Sequence, residues 1–147
     1  MRPVFKKLFF LSLYLGVDCY YVMSSHAIYQ QAVFSIANHD MPAAERQLSI
    51  LFAYGSMALG WYFLALPALE YWNDKLYRPL AGLLTGLIFG LSIIGTFNFT
   101  LNLMFEGWQG AILKRDLLWG VSWSTISIFL YSIFSSPSKK QRFFQAY

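Results

Sequence analysis

The stretch Leu80–Phe105, LAGLLTGLIFGLSIIGTFNFTLNLMF, contains no charged side chain. A hydrocarbon core of ~30 Å needs ~20 apolar residues at ~1.5 Å each, so this run is long enough to cross a bilayer as one helix. Its apolar residues are continuous and do not alternate, which excludes a lipid-facing barrel strand. Leu48 to Leu69 is likewise uncharged. Val4 to Met23 is apolar apart from Lys6, Lys7 and Asp18, and Leu117 to Phe134 ends where Ser135, Ser136 and Pro137 break the pattern. The sequence therefore predicts an all-α polytopic membrane protein. Its single domain, 1–147, is a four-helix transmembrane bundle with helices at about 4–23, 48–69, 80–105 and 117–134, an outer surface loop 24–47 and a basic tail 135–147.

Composition points the same way. Of 147 residues, 57% are apolar and 12% charged, with a mean hydropathy of +0.46. Soluble domains carry about 45–50% and about 25%. Disorder and a water-exposed enzyme fold are disfavoured. The net charge of +4 is carried by cations at the ends of apolar runs, which is a membrane pattern and gives no reason to expect nucleic acid. Cys19 is the only cysteine, so there is no intrachain disulfide framework. His26, His39, Asp40 and Glu45 match no metal-ligand spacing and are better explained as a solvated loop with helix caps. Neither a metal nor a cofactor is expected.

Arg2, Lys6 and Lys7 ahead of a Leu8–Val17 apolar core, with Ser25-His26-Ala27 beyond, loosely resemble a signal peptide. Asp18, Tyr20 and Tyr21 fit that pattern poorly, and the segment is taken as the first helix. Arg2, Lys6, Lys7, Lys75, Arg78, Lys139, Lys140 and Arg142 fall on one side of the four-span arrangement, against Arg46, Lys114 and Arg115 on the other. This bias of eight to three predicts both termini in the cytoplasm. Trp72, Trp108 and Trp119 lie near span ends, as interfacial anchors do.

In the third helix Gly82, Gly86 and Gly90 recur every four residues and line one face, a GxxxG packing signal. Its partner is the second helix (Ser56, Gly60), the fourth (Gly120, Ser124) or another copy of the chain. In the first loop Ile28, Ala32 and Ile36 suit a short surface helix, and Asn38 and Asp40 ahead of Pro42 suit a cap for the second helix.

Helix counting brings polar residues to one level in the outer half. Asp18 shares a face of the first helix with Tyr14, Tyr21 and Ser25. Asn98 lies about 27 Å above Leu80, with Asn102 one turn further, while Tyr54 and Asp116 with Trp119 lie near the outer ends of their helices. A carboxylate in hydrocarbon costs about 2.5–3.5 kcal/mol, so Asp18 should face the bundle and either find donors or stay protonated. Structural readings exist for the others. Asp116 could cap the fourth helix, and Asn98 and Asn102 could be interhelical bonds of about 0.6 kcal/mol each. Asn98-Phe99-Thr100 forms an accidental glycosylation sequon, and Cys19 is a small apolar filler.

Asp18, then Tyr29-Gln30, Tyr54, Gly60, Pro67-Ala68, the third-helix run Asn98-Phe99-Thr100-Leu101-Asn102, Gly107-Trp108 and Asp116-Leu117-Leu118-Trp119-Gly120 occur in an order that spans nearly the whole chain. This order resembles the predicted-membrane-protein family filed as domain of unknown function 2177. That family typically shows Tyr-Asp-Leu-Thr-Asn where this chain has Phe97-Asn98-Phe99-Thr100-Leu101-Asn102, an acid replaced by an amide. The resemblance implies a compact four-helix integral membrane protein of bacterial type, in the inner (plasma) membrane, and brings no established activity.

Two function classes follow. In the first, Asp18, Tyr14, Tyr21, Tyr54, Asn98, Asn102, Asp116 and Trp119 line an outward-facing site that binds or moves a lipid head group, a small solute or a proton. In the second, the chain is a structural or accessory subunit whose glycine face packs in a homo-oligomer or a larger membrane complex. An enzyme comes third, because there is no metal-binding His pair, activated Ser or nucleotide loop and no catalytic residue to name.

Overall fold

In the computed structural model, residues 3–25, 27–28, 43–104 and 110–135 are described, and every element among them is helical. The elements are α1 (Pro3–Ser24), α2 (Ala43–Gly60), a π turn at Trp61–Ala65, α3 (Leu66–Asn73), α4 (Arg78–Gly90), a second π turn at Leu91–Gly95, α5 (Thr96–Met104) and α6 (Gly110–Phe134). The loop helix through Ala32 and Ile36, the caps Asn38, Asp40 and Pro42, the histidines His26 and His39, the pair Gly107-Trp108 and the basic tail lie outside the described residues.

Three helical rods are long and apolar enough to cross a membrane: Ile50–Asn73, Arg78–Thr100 and Ile112–Phe134. α1 has 22 residues but is not among them, because Lys6, Lys7 and Asp18 interrupt its apolar run. The outward surface carries Leu51, Phe52, Phe63, Leu64, Leu103 and Leu118, each more than half exposed. An apolar belt of this extent is foreign to a water-soluble monomer.

The fourth helix starts at Gly110, seven residues before the expected Leu117. Ile112 is buried and fixes the added turn, while Lys114 and Arg115 are good helix formers on its exposed side. Asp116 therefore sits inside α6 and is not its cap.

Each middle rod is widened by one π turn. Leu66 N–H bonds back to the Trp61 carbonyl, five residues earlier. Pro67 follows at once, and its ring has no N–H and crowds the carbonyl four residues before it, so the wide turn opens where an ordinary turn would clash. The second π turn lies between Gly90 and Gly95, beside the first rod: a Cβ on Gly60 would meet Ile93 Cδ1 at 3.3 Å.

Gly82, Gly86 and Gly90 are buried against α6. A Cβ on Gly86 would stand 2.5 Å from Thr125 Cα, and one on Gly90 would stand 2.9 Å from Val121 Cα. Gly120 of α6 returns the fit, accepting the Ile94 side chain where its own Cβ would be. Small residues here let two backbones approach and gain dispersion contact, the main attraction available between helices in lipid.

α1 runs antiparallel to α6 along its whole length. Lys6 Nζ donates to the Phe134 carbonyl at 2.9 Å, Tyr14 and Ser124 hydroxyls pair at 3.2 Å, and Trp123 Nε1 donates to the Tyr14 carbonyl at 2.9 Å. The core between the rods holds Phe10, Tyr14, Trp61, Leu69, Phe89, Ile128 and Tyr131. Tyr131 meets the rings of Phe10 and Trp61 edge-on at 5.6 and 5.4 Å, an arrangement favoured by the ring quadrupoles.

Candidate functional site

Asp18 lies on the α1 face that meets α6, half-buried, and its Oδ1 accepts a hydrogen bond from Trp119 Nε1 at 3.2 Å. One turn further, the Tyr21 hydroxyl donates to Asp116 Oδ1, also at 3.2 Å. Beyond it Arg115 Nη2 donates to Ser25 Oγ at 2.9 Å. These bonds follow from helix periodicity: Tyr14, Asp18, Tyr21 and Ser25 stack on one side of α1, and Arg115, Asp116, Trp119 and Trp123 answer from α6.

The rings add a second layer. Tyr21 stacks on Trp119 with centroids 4.3 Å apart and planes 8° apart, and the Arg115 guanidinium lies over the Tyr21 ring, 5.4 Å from its centroid. Trp119 in turn stacks on Trp123 at 6.3 Å. Arg115, Tyr21, Trp119 and Trp123 thus form a cation and three rings in one column, with Asp18 and Asp116 beside it.

A third rod reaches the same place. Tyr54, half-buried on α2, interacts with both Asp18 and Cys19, and the Asp116 charge is felt at Asp18 as well. Asp18 is therefore a carboxylate shared by α1, α2 and α6, with a donor in hand and a second acid close by.

Among the proposed residues, the structure brings Asp18, Tyr21, Tyr54, Asp116 and Trp119 together, with Tyr14 one turn deeper. It does not join the two asparagines to them by any hydrogen bond among the described residues. Asn98 is 2% exposed and donates Nδ2 to the Ile94 carbonyl of its own rod at 3.1 Å, while Asn102 is exposed. The cause is local: Asn98 lies three residues past the second π turn and its side chain turns back to the Ile94 carbonyl there, and Asn102 sits near the end of α5.

Arg115, Ser25 and Trp123 were not among the proposed site residues. Their signal was present in the sequence, since Arg115 adjoins Asp116 and Trp123 follows Trp119 at the four-residue spacing of one helix face. Among the described residues no group of three His, Cys, Asp or Glu could hold a metal ion. Comparison with family models, with curated proteins and with solved structures finds no match.

Proposed function

We propose that this is a four-span integral membrane protein of the bacterial inner membrane, similar to the domain of unknown function 2177 family. Its outer end binds a cationic group: the ammonium of a lipid head group or small solute, or a proton. The observation that carries this reading is Asp18 itself. Packing alone gives no reason for a carboxylate there, yet α2 and α6 both supply its neighbours. Two acids beside a column of aromatic faces suit a cation, which gains from both the carboxylate charge and the ring quadrupole.

The four-span topology is supported by the pairing of α1 with α6. Lys6 meets Phe134 at one end and Ser25 meets Arg115 at the other, so whatever slab α6 crosses, α1 accompanies it. Tags on either terminus are expected to be accessible from the cytoplasm alone. Tags on opposite sides, or both outside, would overturn this topology. The site reading is favoured over an accessory-subunit role because Gly82, Gly86 and Gly90 face α6 of the same chain and are not offered to a partner.

Trp119 reports on the site directly, because its indole N–H is bonded to Asp18. Titration of the reconstituted protein with ethanolamine is expected to change the tryptophan emission, and the change is expected to disappear in both Asp18→Asn and Trp119→Phe. The Asp18→Asn chain keeps an oxygen for Trp119 and so retains its fold. A pH-dependent change without an ethanolamine response would single out the proton. An emission unmoved by either, or an unchanged response in Asp18→Asn, would sink the binding reading.

A further inference from the structure

The end of the bundle opposite Asp18 gathers cations onto the last turn of α6. Final carbonyls of a helix have no partner further along it, and here α1 serves one of them while α4 reaches the side chain just beyond. Lys6 donates to the Phe134 carbonyl, and Arg78 Nη2 donates to Ser135 Oγ. Lys7 lies over the Tyr62 ring, 5.5 Å from its centroid. The Arg78 Nε–H is enclosed and has no hydrogen-bond partner.

Helix capping accounts for only part of this arrangement. A helix C-terminus carries roughly half a negative charge, whereas Lys6 and Arg78 bring two positive ones. Among the described residues neither is paired with a carboxylate. Glu70 of α3 is exposed. Among the described residues the cluster therefore holds excess positive charge and an unused enclosed donor.

Its surroundings indicate the source of the missing anion. Val4, Phe5 and Phe9 of α1 and Leu80 and Leu83 of α4 are exposed beside the cations, giving a path for acyl chains. Cations between transmembrane helices, flanked by apolar side chains, suit an anionic lipid head group better than a free ion. We propose that Arg78, Lys6 and Lys7 form a binding site for the phosphate of an anionic phospholipid, bridging α1 and α4 across the end of α6. This rests on the reading that the chain is embedded in a bilayer, but not on the outer site.

The test uses the full chain in nanodiscs of phosphatidylcholine with or without phosphatidylglycerol, scoring retained phosphatidylglycerol by native mass spectrometry and the thermal midpoint. Phosphatidylglycerol is expected to be retained and to raise the midpoint. Arg78→Gln should weaken retention about fivefold, the fold-change corresponding to about 1 kcal/mol per cation. Lys7→Gln, which loses no hydrogen bond among the described residues, should weaken it in the same direction. Lys75→Gln, an exposed cation in the turn before α4, should not. Unchanged retention in both Arg78→Gln and Lys7→Gln would overturn the site, as would an equal loss in Lys75→Gln, which would mean diffuse charge attraction. Equal stabilisation by inorganic phosphate in pure phosphatidylcholine would overturn the lipid as source. Failure of the parent chain to enter either nanodisc would count against the membrane reading itself.

Discussion

A Gly86→Leu chain is expected not to accumulate as a folded protein. The new Cβ would stand 2.5 Å from Thr125 Cα and 2.9 Å from the Ser124 carbonyl, and both are backbone atoms that cannot rotate away. Relief requires α4 and α6 to separate, which removes the contact at Gly82 and Gly90 as well. Overpacking ordinarily costs about 1–3 kcal/mol, and a clash with rigid backbone belongs at or above the upper end of that range. Leu87→Ala is the control, since Leu87 is exposed next to the seam. Size-exclusion chromatography in mild detergent should show loss of the Gly86→Leu peak and a normal Leu87→Ala peak. A Gly86→Leu chain that elutes like the parent would mean that the helices are not held at this seam.

Trp119→Ala should have the next largest effect, confined to the C-terminal half of α1. It removes the stack on Tyr21, the stack on Trp123 and the donor to Asp18 in one change. Truncation of a buried Trp costs about 3–5 kcal/mol, and roughly half of that is expected for this half-buried ring. Cys19, next to Asp18 and also half-buried, is a built-in reporter. Maleimide labelling of Cys19 should accelerate about tenfold in Trp119→Ala, the fold-change of about 1.4 kcal/mol in local opening. Trp119→Phe keeps the stack but not the hydrogen bond and should fall between the two. Equal labelling rates in all three would show that the aromatic column does not hold α1.

The reach of the sequence is clearest where the signal is one-dimensional. Long uncharged runs such as Leu48–Leu69 and Leu80–Phe105 announce helices because a bilayer tests each residue for apolarity and each rod for length. The start of α6 was not legible in this way, since Lys114, Arg115 and Asp116 look like a loop until Ile112 is known to be buried. The asparagines show the other limit. Depth counting assumes 1.5 Å and about 100° per residue throughout, and a π turn adds one residue to a turn. Everything after Gly95 is rotated relative to that count, and Asn98 ends up serving Ile94 of its own rod. Asp18 was easier to place, because the cost of a carboxylate in lipid dictates that it face protein whatever the register. The aromatic column needed both α1 and α6 in view, since no single stretch of sequence contains it.

The pairing of α1 with α6 also shapes how the chain can be assembled during synthesis. Asp18 and its donor Trp119 are 101 residues apart, and Tyr14 and Ser124 are 110 apart. α1 thus leaves the ribosome well before α6 and waits for it before its carboxylate gains that donor. Until α6 arrives, Asp18 lacks its indole donor and α4 holds an uncovered glycine furrow. Both defects are repaired when α6 packs against its neighbours. A chain that stops short of Gly110 would therefore display two marks of incompleteness at once, a feature that membrane quality control could use to tell finished molecules from aborted ones.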